Sequence, residues 1–332
     1  MPSAEEAPPV EPKGLRYDEL HRGGLAGAWR PFVGVPLVAV LFVAVQFLLT
    51  ALFTVYFLLV SRDTYEIADR LSSDPVTPAF LAFVNLGWAL AIPGVLVVAL
   101  LLHHQRPGLV ASVVGRLRWR WLLTCLALSV VALAATVLMA SVLPDQGASG
   151  VEMSGDLNPW TSKARDFVLI TLLLTPLQAA GEEYVFRGYL VQAFGGVANL
   201  FGPRVGATVA VVVPALLFAV AHGLGQDVPT FFDRFAFGLV AGVLVLLTGG
   251  LEAGIAMHVL NNFLAFGLAL SFGDMTEALN PSGGSWWSIP VTLTQSFVYL
   301  GLALWAARRM GLATRTETAT GGAILEARQG RV

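Results

Sequence analysis

Charged side chains fall in clusters separated by long uncharged stretches. Residues 31–61, 75–105, 121–144, 167–181, 205–226, 235–251, 253–273 and 278–307 contain no Asp, Glu, Lys or Arg. A helix needs about 20 apolar residues to cross roughly 30 Å of hydrocarbon. Five stretches clear that length and 253–273 just reaches it. The stretches 167–181 and 235–251 suffice only if their helices carry charges into the membrane. The pattern predicts eight membrane helices, near 32–60, 79–102, 121–143, 167–194, 205–222, 231–249, 252–272 and 286–307. Backbone groups in lipid must be satisfied within the segment, and the alternating ten-residue pattern of a barrel is missing. The expected fold class is all-α, a polytopic membrane protein.

Composition agrees. Apolar residues make up 56% of the 332 and charged residues 13%, against about 25% charged in a soluble domain. A chain this poor in charge, with a mean hydropathy of +0.71, is neither an ordinary cytosolic enzyme nor a disordered chain. The net charge is −2, and no basic stripe stands ready for a phosphate backbone, so no nucleic-acid partner is expected. Cys125 lies inside an apolar run, which excludes disulfide frameworks and CxxC sites.

Residues 1–28 open acidic and Pro-rich (MPSAEEAPPVEPKG), without the basic and short apolar regions of a signal peptide, and are expected to form a disordered cytoplasmic tail. The membrane domain is placed at 29–310 and a polar C-terminal tail at 311–332. Arg106, Arg116, Arg118, Arg120, Arg204, Arg308 and Arg309 alternate in position with net acidic loops at 61–78, 223–230 and 273–285. By the positive-inside rule, eight crossings then leave both termini in the cytoplasm.

A charge at the bilayer centre costs about 2.5–3.5 kcal/mol on insertion scales. The fourth helix nevertheless continues through Gly181-Glu182-Glu183-Tyr184-Val185-Phe186-Arg187-Gly188. His222 closes the apolar run from Pro214, and His258 interrupts Ala256–Phe263. Residues four apart share a helix face, so Glu183 can pair with Arg187, and His258 and Asn262 project together. Glu182, rotated about 100° from Glu183, is the carboxylate left free for acid–base work. Asn261, off the His258 face, reads as a helix-packing residue. Gly238-x-x-x-Gly242 reads as tight helix packing, Trp286 and Trp287 as an interfacial belt, and Asp233 and Arg234 as a membrane boundary. Pro176 could open a cleft beside Glu182.

Glu182-Glu183-x-x-x-Arg187, Phe218-x-x-x-His222 and His258-x-x-x-Asn262 resemble the three motifs of the CPBP family, which comprises the CAAX prenyl proteases, the Ras-converting enzyme among them, and the bacteriocin-processing intramembrane proteases. The resemblance covers roughly residues 165–272. It implies a glutamate-dependent intramembrane endopeptidase in which Glu182 and His222 activate water, His258 and Asn262 stabilise the oxyanion, and Glu183 and Arg187 hold the site together. The implied partners are membrane lipid and a protein or peptide substrate, such as a prenylated CAAX protein or a bacteriocin-like peptide. No cofactor is expected. The alternative chemistry is a zinc site with Glu182, His222 and His258 as ligands, although HExxH is missing. Two other classes use the same residues: a proton-coupled transporter, for which no inverted repeat is visible, and a catalytically silent scaffold. One conflict stands. With straight helices, Glu182 lies about 24 Å from the outer end of its helix while His222 ends its helix on the outer side, so the two meet only if the fifth helix is short and deeply set.

Overall fold

The computed structural model describes residues 14–23, 27–60, 64–144, 156–223, 225–279 and 284–318. Among them stand twelve α-helices: α1 (Trp29–Val60), α2 (Thr64–Arg70), α3 (Pro78–Leu101), α4 (Gly108–Ala111), α5 (Trp119–Val142), α6 (Ser162–Glu183), α7 (Val191–Ala198), α8 (Pro203–Ala221), α9 (Val228–Thr248), α10 (Glu252–Phe272), α11 (Met275–Leu279) and α12 (Ser288–Arg309). No strand occurs among the described residues, and the chain is an all-α polytopic membrane protein.

Seven helices, α1, α3, α5, α8, α9, α10 and α12, are long and apolar enough to span a bilayer. The eighth expected span is α6, which is long enough but not apolar enough, because Lys163, Arg165, Asp166, Glu182 and Glu183 fall within it. It packs against α3 and α10. Its close approach to α3 rests on Gly181, where a Cβ would stand 2.0 Å from the Trp88 carbonyl oxygen. Lipid-facing positions keep apolar side chains outward, as at Phe47, 73% exposed.

Local sequence sets the boundaries. Thr77 and Thr161 cap α3 and α6, their hydroxyls accepting from the Phe80 and Ala164 amides at 3.1 Å. Asp227 caps α9, accepting from the Thr230 amide at 2.9 Å. Gly249, at φ 70°, closes α9 in the left-handed conformation that lets the chain turn into α10. Gly238 and Gly242 seat α9 on α8, with Ala215 and Val211 beneath them. The fourth span does not end as a simple α-helix: after Glu183 the chain runs through a π-helix, Tyr184–Leu190, into α7.

The N-terminal segment departs from the disordered tail expected over 1–28. Tyr17–Arg22 form a 3-10 helix whose Tyr17, Asp18, Leu20 and His21 are buried. Tyr17 donates its hydroxyl to the Val110 carbonyl, and Leu15 and Thr316 pair backbone to backbone at 3.0 Å. A segment that buries a tyrosine and a leucine offsets the entropy of ordering it, which composition alone does not reveal. Of the expected tails at 1–28 and 311–332, residues 1–13, 24–26 and 319–332 lie outside the described residues, while Thr316, in the second, is buried against Leu15. Both termini therefore leave from one face of the bundle. On that face the 102–118 connection packs against the turn between α9 and α10, with Val113 donating to Gly249 and Leu251 to Ala111, each at 2.9 Å. Arg118 locks this layer by a bidentate pair to the buried Glu252, at 2.8 and 2.7 Å.

Candidate active site

The motif residues converge where α6, the π-helix, α8, α9 and α10 meet. Glu183 is fully buried, and its Oε1 lies 3.0 Å from Arg187 Nη1 and 3.0 Å from His258 Nδ1. The Arg187 guanidinium lies over the Phe218 ring at 4.0 Å and near the Phe237 ring at 5.6 Å, a cation–π seat inside the protein. Gly254 lets α10 approach, since a Cβ there would stand 2.6 Å from Glu183 Oε2. Glu183 and Arg187 thus tie α6 and its π-helical continuation to α8, α9 and α10.

Glu182 faces the other way, into a cavity of about 470 Å3. Its Oε1 accepts from the Gln178 side chain. Its Oε2 is buried without a hydrogen-bond partner and lies 3.6 Å from His258 Nε2. Asn262 donates to Gln178 Oε1 at 3.0 Å, so a polar chain runs Asn262–Gln178–Glu182, with His258 closing toward Glu183. Asn261 instead accepts from Gln295 of α12 at 3.2 Å, which is helix packing.

His222 joins the same cavity wall but no hydrogen bond among the described residues links it to Glu182 or His258. Its Nδ1 lies 2.8 Å from the Phe218 carbonyl oxygen. A carbonyl only accepts, so Nδ1 carries the proton and a neutral ring leaves Nε2 as an acceptor. The geometric conflict posed by straight helices is resolved by α8. It starts beside the N-terminal segment, with Arg16 bonded to the Pro203 carbonyl, and it ends at the cavity that Glu182 also lines. Phe218 then stacks edge-on with Phe186 at 5.3 Å and His258 at 6.0 Å.

Three features escaped the sequence pattern. Gln178 bridges Glu182 and Asn262; its signal was a polar side chain one turn before Glu182. The π-helix right after the Glu pair is a geometry frequent at functional sites. Asp233 and Arg234, expected at a membrane boundary, line the cavity. Asp233 accepts from Ser288 at 2.7 Å, while Arg234 Nε is buried without a hydrogen-bond partner. Among the described residues no group of three His, Cys, Asp or Glu side chains is gathered to hold a metal ion. His258 spends Nδ1 on Glu183, and His222 stands apart.

Fold and site together define a polytopic membrane protein with an acid–base network enclosed by apolar helices. Residues 164–264 match the family described as type II CAAX prenyl endopeptidase Rce1-like. This segment, from α6 to the middle of α10, holds the Glu182–Glu183 pair, Arg187, His222, His258 and Asn262, and it is what the chain shares with that family. It is also 25% identical over 291 residues to the uncharacterized protein YyaK of Bacillus subtilis (strain 168), covering 83% of this chain and 91% of that one. No solved structure matches the chain.

Proposed function

We propose that the protein is an intramembrane endopeptidase that hydrolyses a peptide bond with a water activated by Glu182. The observation that carries this reading is that Glu182, unlike Glu183, lines the cavity, with its Oε2 lacking a hydrogen bond and set 3.6 Å from His258 Nε2. A water at ordinary hydrogen-bond distance can touch both atoms at once, because 3.6 Å is well under twice about 2.8 Å. Glu182 takes the proton as the water attacks the scissile carbonyl. The hydroxide oxygen bonds to the carbonyl carbon and the carbonyl oxygen becomes the oxyanion; the oxyanion then re-forms the carbonyl as the C–N bond breaks, and the proton passes from Glu182 to the leaving amine.

Asn262 and His258 are the groups suited to stabilise the developing oxyanion, a role worth roughly 3–4 kcal/mol for one preorganised donor. His222, with Nε2 as acceptor, is suited to hold or relay the water proton rather than to donate to the oxyanion. Glu183 and Arg187 are positioning residues, fixing His258 by its Nδ1. Gln178 positions Glu182 and Asn262 together.

Both termini are assigned to the cytoplasm, since the arginine-bearing loops share their face. The test is substrate trapping in native membranes with Glu182→Gln, which keeps shape and removes the base. The expected result is enrichment of one or a few polypeptides that the wild-type protein cleaves when the two are mixed. Recovery of the same background from Glu182→Gln and wild type alike overturns the reading.

A further inference from the structure

The cavity occupies only one half of the protein. Besides Val84, Trp88, Thr136, Gln178, Glu182 and Phe186, its walls come from the end of α8, the first turns of α9, the second half of α10, and α11 and the first turns of α12. These are the ends of the helices that point away from the chain termini. Asp274 and Glu277, beyond the end of α10, mark its outer limit, and Glu182 and His258 lie at its inner end.

The termini-side half is closed. Between Glu183 and that face lie Tyr17, Leu20, Val110, Ala111, Tyr189 and Leu251, all buried in one apolar core. The Arg118–Glu252 pair and the backbone pairings of 111–113 with 249–251 seal the layer outside them. Ala221 and His222 are exposed at the cavity, as is Ala265, one turn outward from Asn262.

Resting on the endopeptidase reading, we propose that substrate reaches Glu182 from the face opposite the termini, as an extended apolar polypeptide segment presented from the extracytoplasmic side. Trp88, Phe186, Phe237 and Phe272 give the cavity apolar walls suited to such a segment. The arginines place the termini in the cytoplasm, so the cavity side is the exported side. A polypeptide confined to the cytosol meets the sealed layer.

The test is sided labelling with a membrane-impermeant maleimide. Single cysteines are placed at Ala265→Cys and Thr314→Cys in a Cys125→Ala background, with lipid-facing Leu138→Cys as a control. The expected result is labelling of Ala265→Cys in intact spheroplasts and of Thr314→Cys only in inverted vesicles, with Leu138→Cys unreactive in both. Labelling of Ala265→Cys from the side that labels Thr314→Cys, from both sides, or from neither overturns the entry face. Labelling of Thr314→Cys in spheroplasts overturns the assignment to exported polypeptides. No turnover is needed, so the outcome is separate from whether Glu182→Gln traps a substrate.

Discussion

Adjacent glutamates with opposite surroundings should fail in opposite ways when each is cut to alanine. Glu183 has 3.0 Å contacts to Arg187 and His258 and is fully buried. Glu183→Ala leaves the Arg187 guanidinium as an uncompensated buried cation, a loss of about 3–5 kcal/mol. Its seat over Phe218 offsets only a small part of that. Glu182 has one hydrogen bond, from Gln178, and one buried oxygen without a partner. Glu182→Ala loses about 1 kcal/mol from the first and recovers a comparable amount by removing the second. At about 2–4 °C per kcal/mol for a large domain, Glu183→Ala should unfold about 10 °C below wild type and Glu182→Ala within a few degrees of it. Tryptophan-fluorescence melts of the purified variants in one detergent measure this, and peptide cleavage measures the other half: both variants inactive, but only Glu182→Ala well folded. A Glu182→Ala melt as low as or lower than that of Glu183→Ala would refute the assignment of base and strut.

Other consequences are equally specific. Asn262→Ala and Gln178→Leu should each lower kcat by about 10²–10³ with little change in KM, while Asn261→Ala, which loses only a packing bond to Gln295, should keep turnover; equal mild effects at all three would remove Asn262 and Gln178 from the site. Purified protein should hold far less than one equivalent of zinc and keep activity after dialysis against a strong chelator; zinc lost with activity and restored on addition would assign Glu182, His222 and His258 as ligands instead. Stability should fall as pH drops below about 6.5, because burial lowers His103 to about 4, with Arg30 adding to it, and holds His21 well below its usual value, with His103 adding to it. The unfolded chain then binds protons that the folded one refuses, so the loss grows from pH 6.5 toward pH 4. A melting temperature independent of pH between 7.5 and 5, or a slope unchanged in His103→Gln, would exclude these rings as its source. Arg234→Ala should weaken kcat/KM more than it lowers the melting temperature, since its Nε has no hydrogen bond to lose; a large loss of stability would make it a structural cation.

The parts of this site that were legible in the sequence are those that repeat along a helix. Glu183 with Arg187 and His258 with Asn262 are four apart, so one helix fixes which face they share, whatever the rest of the chain does. The spans were legible because charge is expensive in lipid and its absence over 20 residues has few other causes. What was not legible depends on neighbours. The π-helix of Tyr184–Leu190 is a change of hydrogen-bond register, which leaves no mark on the polar pattern. The depth of α8 follows from what its first turn meets, the N-terminal segment, and that segment looked disordered because its few apolar residues find their partners some 90 residues on, at Val110. Arg234 looked like a boundary marker because hydropathy gives a charge a depth only when its helix end is known.

The same dependence explains why α6 fails as an ordinary span and is still held in the bundle. Its charges cannot face lipid, and Glu182 and Glu183, the pair deepest in the bundle, each turn to a different protein surface. Glu183 turns to a dry one, where Arg187 and His258 neutralise it and bind five elements together. Glu182 turns to the cavity, where Oε2 has no hydrogen bond and stands 3.6 Å from His258 Nε2. A peptide-hydrolysing site in a membrane needs both: charges desolvated enough for preorganised donors to act strongly, and one carboxylate that water can still reach. Sealing the termini-side half while leaving the other half hollow meets the two needs at once, because Glu182 stands one residue and about 100° of helix rotation from its neutralised neighbour. Were the cavity continued to the termini side, water would reach Arg187 and Glu183 as well, and the strut that orients His258 would weaken with it.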